Sequence, residues 1–390
     1  MSNRSLKISI QSSILKWARE STGEDIERVA KKLKVEIQEI KRWESQESLI
    51  TISKLRNLAK IYKRPLAVFF LSKKPDEKLP NDYRVLPENQ GSPLSKVTKL
   101  AIRKIQHLQF IATELSGLLN QETKYKAVKI GTSVGPEELA EQTRSQINIT
   151  PKQQFELKND TSALALWKKI VEDMGILVFQ MSVPVEEIRG FSLIETNQPV
   201  ITINIKDSIR ARIFSLFHEY CHILLNDAGF CDLGEEYYSS GHIKTIEEYC
   251  NHFAGAILVP KNTLLAHALI KKIEDFREDS DEALKQIAND FRVSQEVILR
   301  RLLMLNKISR QYYLNKREQF KNDFKKIQTY RGKGRWLVPY RICVQERGIA
   351  FITRVFEART QGLITIRDMV DYLGVKRKHI SKVEKFLFSL

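Results

Sequence analysis

The sequence predicts a mostly α-helical protein of two or three domains, with one small α+β core near the middle of the chain. Three observations predict it. The 390 residues amount to two or three typical domains. Apolar residues recur at three- and four-residue spacings over most of the length. Between about 175 and 204 that period gives way to short β-branched runs bounded by Gly, Pro and Asn, which are strand signals.

Residues 8–72 read as all-helical. Ile14, Leu15 and Ala18 mark one helix, and Gly23 separates it from a second through Ile26, Val29, Ala30 and Leu33. Ile37, Ile40 and Trp43 mark a third, and Leu55, Leu58 and Ala59 a fourth from Thr51 to Tyr62. Pro65 suits the first turn of a short apolar helix, Leu66 to Leu71. Residues 73–95, with Pro75, Pro80, Pro87, Gly91 and Pro93, read as a linker. Helix is expected again over about 94–119 and 136–175, with Trp167, Ile170 and Val171 in the core.

Strands are expected at Gly175 to Gln180, Gly190 to Ile194 and Pro199 to Asn204. Val200 to Asn204 reads as an edge strand, on which an extended peptide could be laid by strand addition. A helix from about Ser208 to Leu225 follows, then an irregular Gly/Asp/Tyr/Ser stretch, then a helix from Thr245 to Leu258 that stops before Pro260. The rest reads as helical around a basic interruption, Tyr330 to Trp336. From Gly362 a small helical turn motif is expected, with Thr365 as cap and Gly374 at the turn. Its Lys376-Arg-Lys run is either a solvated basic face or a contact for phosphate or a partner.

Composition bounds the function. With 42% hydrophobic and 28% charged residues, the chain has the makings of globular domains. No apolar run approaches the ~18–20 residues that span a bilayer, so no membrane partner is expected. The N-terminus lacks the apolar segment of a secretory signal. Four cysteines without a Cys-x-x-Cys pair are no disulfide framework, and a reducing cytoplasm is the expected location. The formal net charge of +17 is unevenly placed. Residues 1–75 carry 17 Lys/Arg against 8 Asp/Glu, and residues 306–390 carry 20 against 7, leaving a mildly acidic middle. Basic ends attract polyanions, nucleic acid first.

The most informative string is His218-Glu219-Tyr220-Cys221-His222. Two histidines four apart on a helix share a face and can bind one ion. A glutamate beside the first can take a proton from water activated at that ion. Glu247, on a separate expected helix 25 residues past His222, is favoured as third ligand, which leaves a fourth tetrahedral position open for water. Its neighbour Glu248 is the nearest rival, and His242 and His252 are less favoured. Cys221 reads as a small buried hydrophobe facing away from the ion. Cys231 and Cys250 lack the paired spacing of a structural zinc site. Tyr237, Tyr238 and His242 are candidates to stabilise an oxyanion.

Residues from about 136 to 270 resemble the ImmA/IrrE family of zinc metallopeptidases. The resemblance runs through Pro136-Glu-Glu-Leu-Ala, Trp167, Gly175-Ile-Leu-Val-Phe-Gln, Arg189-Gly-Phe-Ser-Leu, Pro199-Val-Ile-Thr-Ile-Asn and Phe214-Ser-Leu-Phe-His-Glu-Tyr-Cys-His. It closes with Glu247 to Asn251, Phe253-Ala254 and Ile257 to Pro260. It implies a zincin-like peptidase core with His218, His222 and Glu247 as zinc ligands and Glu219 as the catalytic base. Cys250 departs from the family's usual Ala. The stretch through Phe291-Arg-Val-Ser294 and Val297 to Leu302 resembles the helical lobe that trails this domain in relatives.

Trp17-Ala-Arg-Glu, Ile26 to Val35, Ile40 to Glu44 and Leu55 to Phe70 resemble the xenobiotic-response-element type of helix-turn-helix, the five-helix repressor fold. On that resemblance Ile26 to Leu33 is the first motif helix. Glu36 to Ser45 is the recognition helix, presenting Gln38, Lys41 and Arg42 to DNA beside the acidic Glu36 and Glu39. Relatives carry Gly shortly after Trp43-Glu44, where Ser45-Gln46-Glu47 stands here.

The expected organisation is a DNA-binding domain at 1–72, a linker and helical connector at 73–135, a peptidase domain with trailing lobe at 136–305, and a basic helical region at 306–390. The expected function is zinc-dependent cleavage of a regulatory protein, such as a repressor or toxin partner, with DNA bound through the N-terminal domain and a homodimer as one assembly this permits. Two further readings stay open: a non-proteolytic regulator or antitoxin with a sensing or structural metal site, and a scaffold whose helical ends bind a partner.

Overall fold

The computed structural model describes residues 7–45, 48–64, 66–75, 83–84, 94–121, 125, 134–194, 198–227, 240–272, 280–328 and 338–387. The structure is mostly helical, with two small sheets. The chain divides into two units, Met1–Asn81 with Gly91–Arg103 and Asp82–Gln90 with Lys104–Leu390. Among the described residues no helix is long and apolar enough to cross a membrane.

In the first unit β1 (Lys7–Ile8) pairs antiparallel with β2 (Ile50–Thr51). Around this ribbon stand α1 (Ser12–Ser21), α2 (Ile26–Leu33), α3 (Ile37–Glu44), α4 (Ile52–Ile61) and a 3-10 turn, Leu66–Phe70. Local chemistry sets the helix starts. The Asp25 carboxylate accepts from the Arg28 N–H, and the Thr51 hydroxyl accepts from the Lys54 N–H. α3 ends on Ser45 at φ −103, a conformation open to any residue, so its end needs no glycine. Gln46, Glu47 and Pro65 lie outside the described residues. Ile14, Leu15, Val29, Ile40, Trp43, Leu55 and Leu58 form the core. The Arg19 guanidinium forks onto Glu44 at 2.7 and 2.9 Å and ties α1 to α3.

The second unit holds β3 (Tyr83–Arg84), the later residues of α5 (Lys96–Leu118), α6 (Pro136–Ile147), α7 (Pro151–Phe155) and α8 (Asp160–Asp173). Then come β4 (Leu177–Met181), β5 (Gly190–Leu193), β6 (Val200–Asn204), α9 (Ile209–Asp227) and α10 (Ser240–Leu258). Thr150 and Asn159 close capping boxes at the starts of α7 and α8. Trp167 meets Phe217 edge to face at 5.0 Å and locks α8 onto α9.

The sheet order is β3-β5-β6-β4. Here the structure corrects one expectation. Val200 to Asn204 is not an edge strand: β6 runs parallel to β4 on one side and antiparallel to β5 on the other, and all five of its residues are buried. Its backbone groups are committed on both flanks, so no peptide can add to it. Asn204 closes its end, its side-chain amide donating to the carbonyls of Val183 and Ile188 at 3.0 and 2.8 Å.

Five more helices follow among the described residues: α11 (Lys261–Ala266), α12 (Ala268–Lys272), α13 (Asp281–Phe291), α14 (Gln295–Met304) and α15 (Arg310–Gln328). Arg301 on α14 is 1% exposed and forks onto Glu137 of α6 at 2.6 and 2.8 Å, and His252 of α10 meets the same carboxylate at 2.9 Å. Burial works against ionisation of Glu137, but His252 and Arg301 outweigh it and hold its carboxyl at about 2, below its ordinary 4.5. A depressed carboxyl stabilises the fold above its unfolded value, and that contribution is lost as pH falls from about 4.5 to about 2. Glu137→Gln should therefore cost about 1–2 kcal/mol at pH 7, after allowing for solvent screening, and the gap to wild type should at least halve by about pH 3. Urea melts at the two pH values check this.

The C-terminal helices α16 (Pro339–Arg347), α17 (Ile349–Thr360), α18 (Ile366–Leu373) and α19 (Ile380–Leu387) form a lobe whose first helix packs along β4. The Gln180 amide donates to the Gln345 carbonyl at 2.9 Å across that seam. Gly348 sits at φ 70 between α16 and α17, where a Cβ would lie 2.7 Å from the Val178 carbonyl oxygen, so only glycine fits. Thr365 caps α18 in a capping box with Asp368, and Gly374 ends that helix left-handed. The basic interruption from Tyr330 to Trp336 lies outside the described residues.

Candidate metal centre

α9 is apolar nearly all round, with Ile213, Leu216, Phe217, Tyr220, Ile223 and Leu224 buried, so it lies inside the core. It carries His218, Glu219 and His222 in with it, at 0%, 1% and 3% exposure. Groups this buried need partners or an ion. His218 and His222, one turn apart, bring their Nε2 atoms to 3.2 Å. Glu247 comes from α10, which packs against α9. Its Oε2 lies 3.4 Å from His218 Nε2 and its Oε1 lies 3.2 Å from His222 Nε2.

These separations fit a metal ion. Ligand bonds of about 2.0–2.1 Å in a tetrahedral site place neighbouring donors about 3.3–3.4 Å apart. The three side chains offer donor atoms that all lie within 4.8 Å of one another, and the group could hold a metal. Burial alone would keep the Glu247 carboxyl protonated, but hydrogen bonds to His218 and His222 hold it well below the usual carboxylate range. Glu247 is thus ready as an anionic donor.

Glu219 lies against β5. A Cβ on Gly190 would sit 3.3 Å from both Glu219 Cγ and Oε1, and 3.1 Å from the Thr202 carbonyl oxygen. Glycine at the head of β5 therefore gives the carboxyl its room. Sequence reasoning missed this residue's role; its signal was a glycine opening a short strand, which marks close approach by another group.

The remaining candidates fall elsewhere. Glu248, one residue along α10, lines a groove of about 770 Å³ with Arg300, Met304 and Arg310, away from the histidine pair. His252 serves Glu137. The His242 side chain lies outside the described residues, as do Cys231, Tyr237 and Tyr238. Cys221 is fully buried, as its reading as a small hydrophobe expects, and its thiol meets that of Cys250, which also contacts His222. Burial pushes the Cys250 thiol well up, so it stays neutral there.

In the first unit, Gln38, Lys41 and Arg42 stand exposed on α3, opposite the buried Ile40 and Trp43. Glu39 pairs with Lys54 at 2.6 Å, which partly offsets one of the two acidic charges on that helix.

Residues 171–303 match the family model of Peptidase_M78, the IrrE N-terminal-like domain. The match covers about a third of the chain and contains His218, Glu219, His222 and Glu247. Similarity to Peptidase_M78 suggests a metallopeptidase, in a family that is typically metal-dependent. The M78-like span takes in β4 to β6, α9 and α10 and extends through α13 and most of α14. No curated protein matches the chain.

Proposed function

We propose that the chain is a cytoplasmic zinc-dependent endopeptidase, joined to a helix-turn-helix DNA-binding domain, that cleaves a regulatory protein such as a repressor in a mobile-element, stress or toxin–antitoxin setting. On this reading residues 1–72 bind DNA, residues 136–305 are the peptidase with its trailing lobe, and residues 306–390 are a basic helical region. The observation that carries the reading is the convergence of His218, His222 and Glu247 beside the buried Glu219 inside the M78-like span.

His218, His222 and Glu247 would hold the ion, three protein donors with one position left over. When bound, zinc would lower the pKa of a water toward ~7 and polarise the scissile carbonyl. Glu219 takes the proton of the attacking water and passes it to the leaving amine. Its burial keeps bulk water from competing for that proton, and Gly190, with no Cβ, avoids crowding the carboxyl. A site that only stabilised the fold would have no use for such a base, which weighs against the regulator reading.

The test is a comparison of protein N-termini in cells expressing the wild type or Glu219→Gln. New termini on one or a few regulatory proteins in the wild type alone are expected. Identical sets of termini would contradict the peptidase reading.

The DNA half has its own test. If the first unit neutralises phosphates, affinity must fall steeply with salt, each phosphate adding ~0.9 to the log–log slope. Lys41→Ala or Arg42→Ala in the full chain should weaken operator binding by about 1–3 kcal/mol if the side chain reaches a base edge. Lys31→Ala should weaken binding alike on all sequences. Gel shifts at two salt concentrations read both, and binding indifferent to salt would assign the module to protein contact.

A further inference from the structure

β5 is the strand on which a peptide could be laid beside Glu219, and the chain already lays its own there. Asn204 N–H donates to the Arg189 carbonyl at 2.9 Å, so Arg189 points its carbonyl at β6. Backbone direction alternates along a strand, so Gly190 turns its N–H and C=O the other way, to the outer edge of β5. That outer edge is occupied. β3 pairs antiparallel with it, Arg84 opposite Gly190 and Tyr83 opposite Phe191. Gly190 is also the residue against which the Glu219 carboxyl rests. The backbone of Tyr83–Arg84 therefore runs about 4.8 Å from the β5 backbone, alongside the glycine that abuts the base.

We infer that Tyr83–Arg84 occupies the peptide-binding edge of the peptidase as a tethered extended peptide, and that a substrate must displace it to bind. This rests on the peptidase reading above. Three facts on the sheet support it. β6 is closed on both sides, so β5 alone offers an edge next to Glu219. The far edge, on β4, is covered by α16. The pairing at β3 is backbone to backbone, as strand addition of a substrate would be, and so does not depend on a particular side chain. The occupant lies within the stretch 73–95, with Pro75, Pro80, Pro87 and Pro93, and belongs to the same unit as β5, so it is tethered at high effective concentration.

The test uses the zinc-loaded full chain and two probes: a Leu-Trp dipeptide hydroxamate, which offers both a chelating group and a backbone, and acetohydroxamate, which offers the chelating group alone. In the wild type, saturating dipeptide hydroxamate should speed hydrogen exchange in the peptide containing Tyr83–Arg84 while Gly190–Leu193 stays protected. Acetohydroxamate should leave Tyr83–Arg84 protected. In Tyr83→Pro/Arg84→Pro, which removes the Arg84 N–H that faces Gly190, the dipeptide hydroxamate should bind at least tenfold tighter and acetohydroxamate equally well. Dipeptide hydroxamate that binds the wild type without releasing Tyr83–Arg84, or that binds wild type and variant alike, overturns the inference. Failure of both hydroxamates to bind the zinc-loaded chain would overturn the peptidase reading instead, and this inference with it.

Discussion

Glu219→Gln should keep its fold and its zinc and lose peptide hydrolysis by about 10²–10⁴-fold, because a general base contributes on that order and the amide cannot accept the proton. The residue is not among the three converging donors, so metal content should be untouched. The change is nearly isosteric, so the fit between Gly190 and the side chain should survive, and thermal unfolding should shift by no more than a few degrees. Turnover of the target protein by purified wild type and variant, with metal content measured on the same samples, reads the effect. Full activity in Glu219→Gln would remove the residue from the chemistry and favour a regulator with a metal site.

Glu247→Ala should weaken zinc binding by two or more orders of magnitude, while Glu248→Ala should leave it within a few-fold of wild type. The two residues are adjacent, but about 100° of helix separates them. Glu247 touches both imidazoles at 3.2–3.4 Å, whereas Glu248 faces the arginine-lined groove. Removing the only carboxylate of the group leaves two imidazoles, too few donors for a tetrahedral ion. Competition against a chromogenic zinc chelator ranks the variants, and the reverse order would move the third donor to Glu248.

What the sequence revealed of this molecule depended on how local each signal was. The ends of α2 and α18 are written in neighbouring residues: Asp25 capping Arg28 N–H, Thr365 paired with Asp368, and Gly374 turning left-handed. The His218/His222 pair is equally local, a matter of helix pitch. The meeting with Glu247 follows from helix spacing only once α9 and α10 are known to pack against each other, which no local pattern states. Strand order was the least legible. Val200 to Asn204 reads as an edge because its pattern carries no mark of how many neighbours it has, and its burial on both sides follows from pairing with residues 7 to 23 positions away. The docking of α16 on β4 is still more remote, with Gln180 and Gln345 separated by 165 residues. Gly190 showed only as a glycine in a strand; the reason for it, the Glu219 carboxyl, comes from another element.

On the proposed function, His218, His222 and Glu247 hold one zinc ion. Elemental analysis of the purified full chain, beside His218→Ala and His222→Ala prepared in the same way, tests it most directly. About one zinc per chain in the wild type and almost none in either variant is the predicted result. Equal metal content in all three proteins, or none in any after preparation with zinc present, would contradict it.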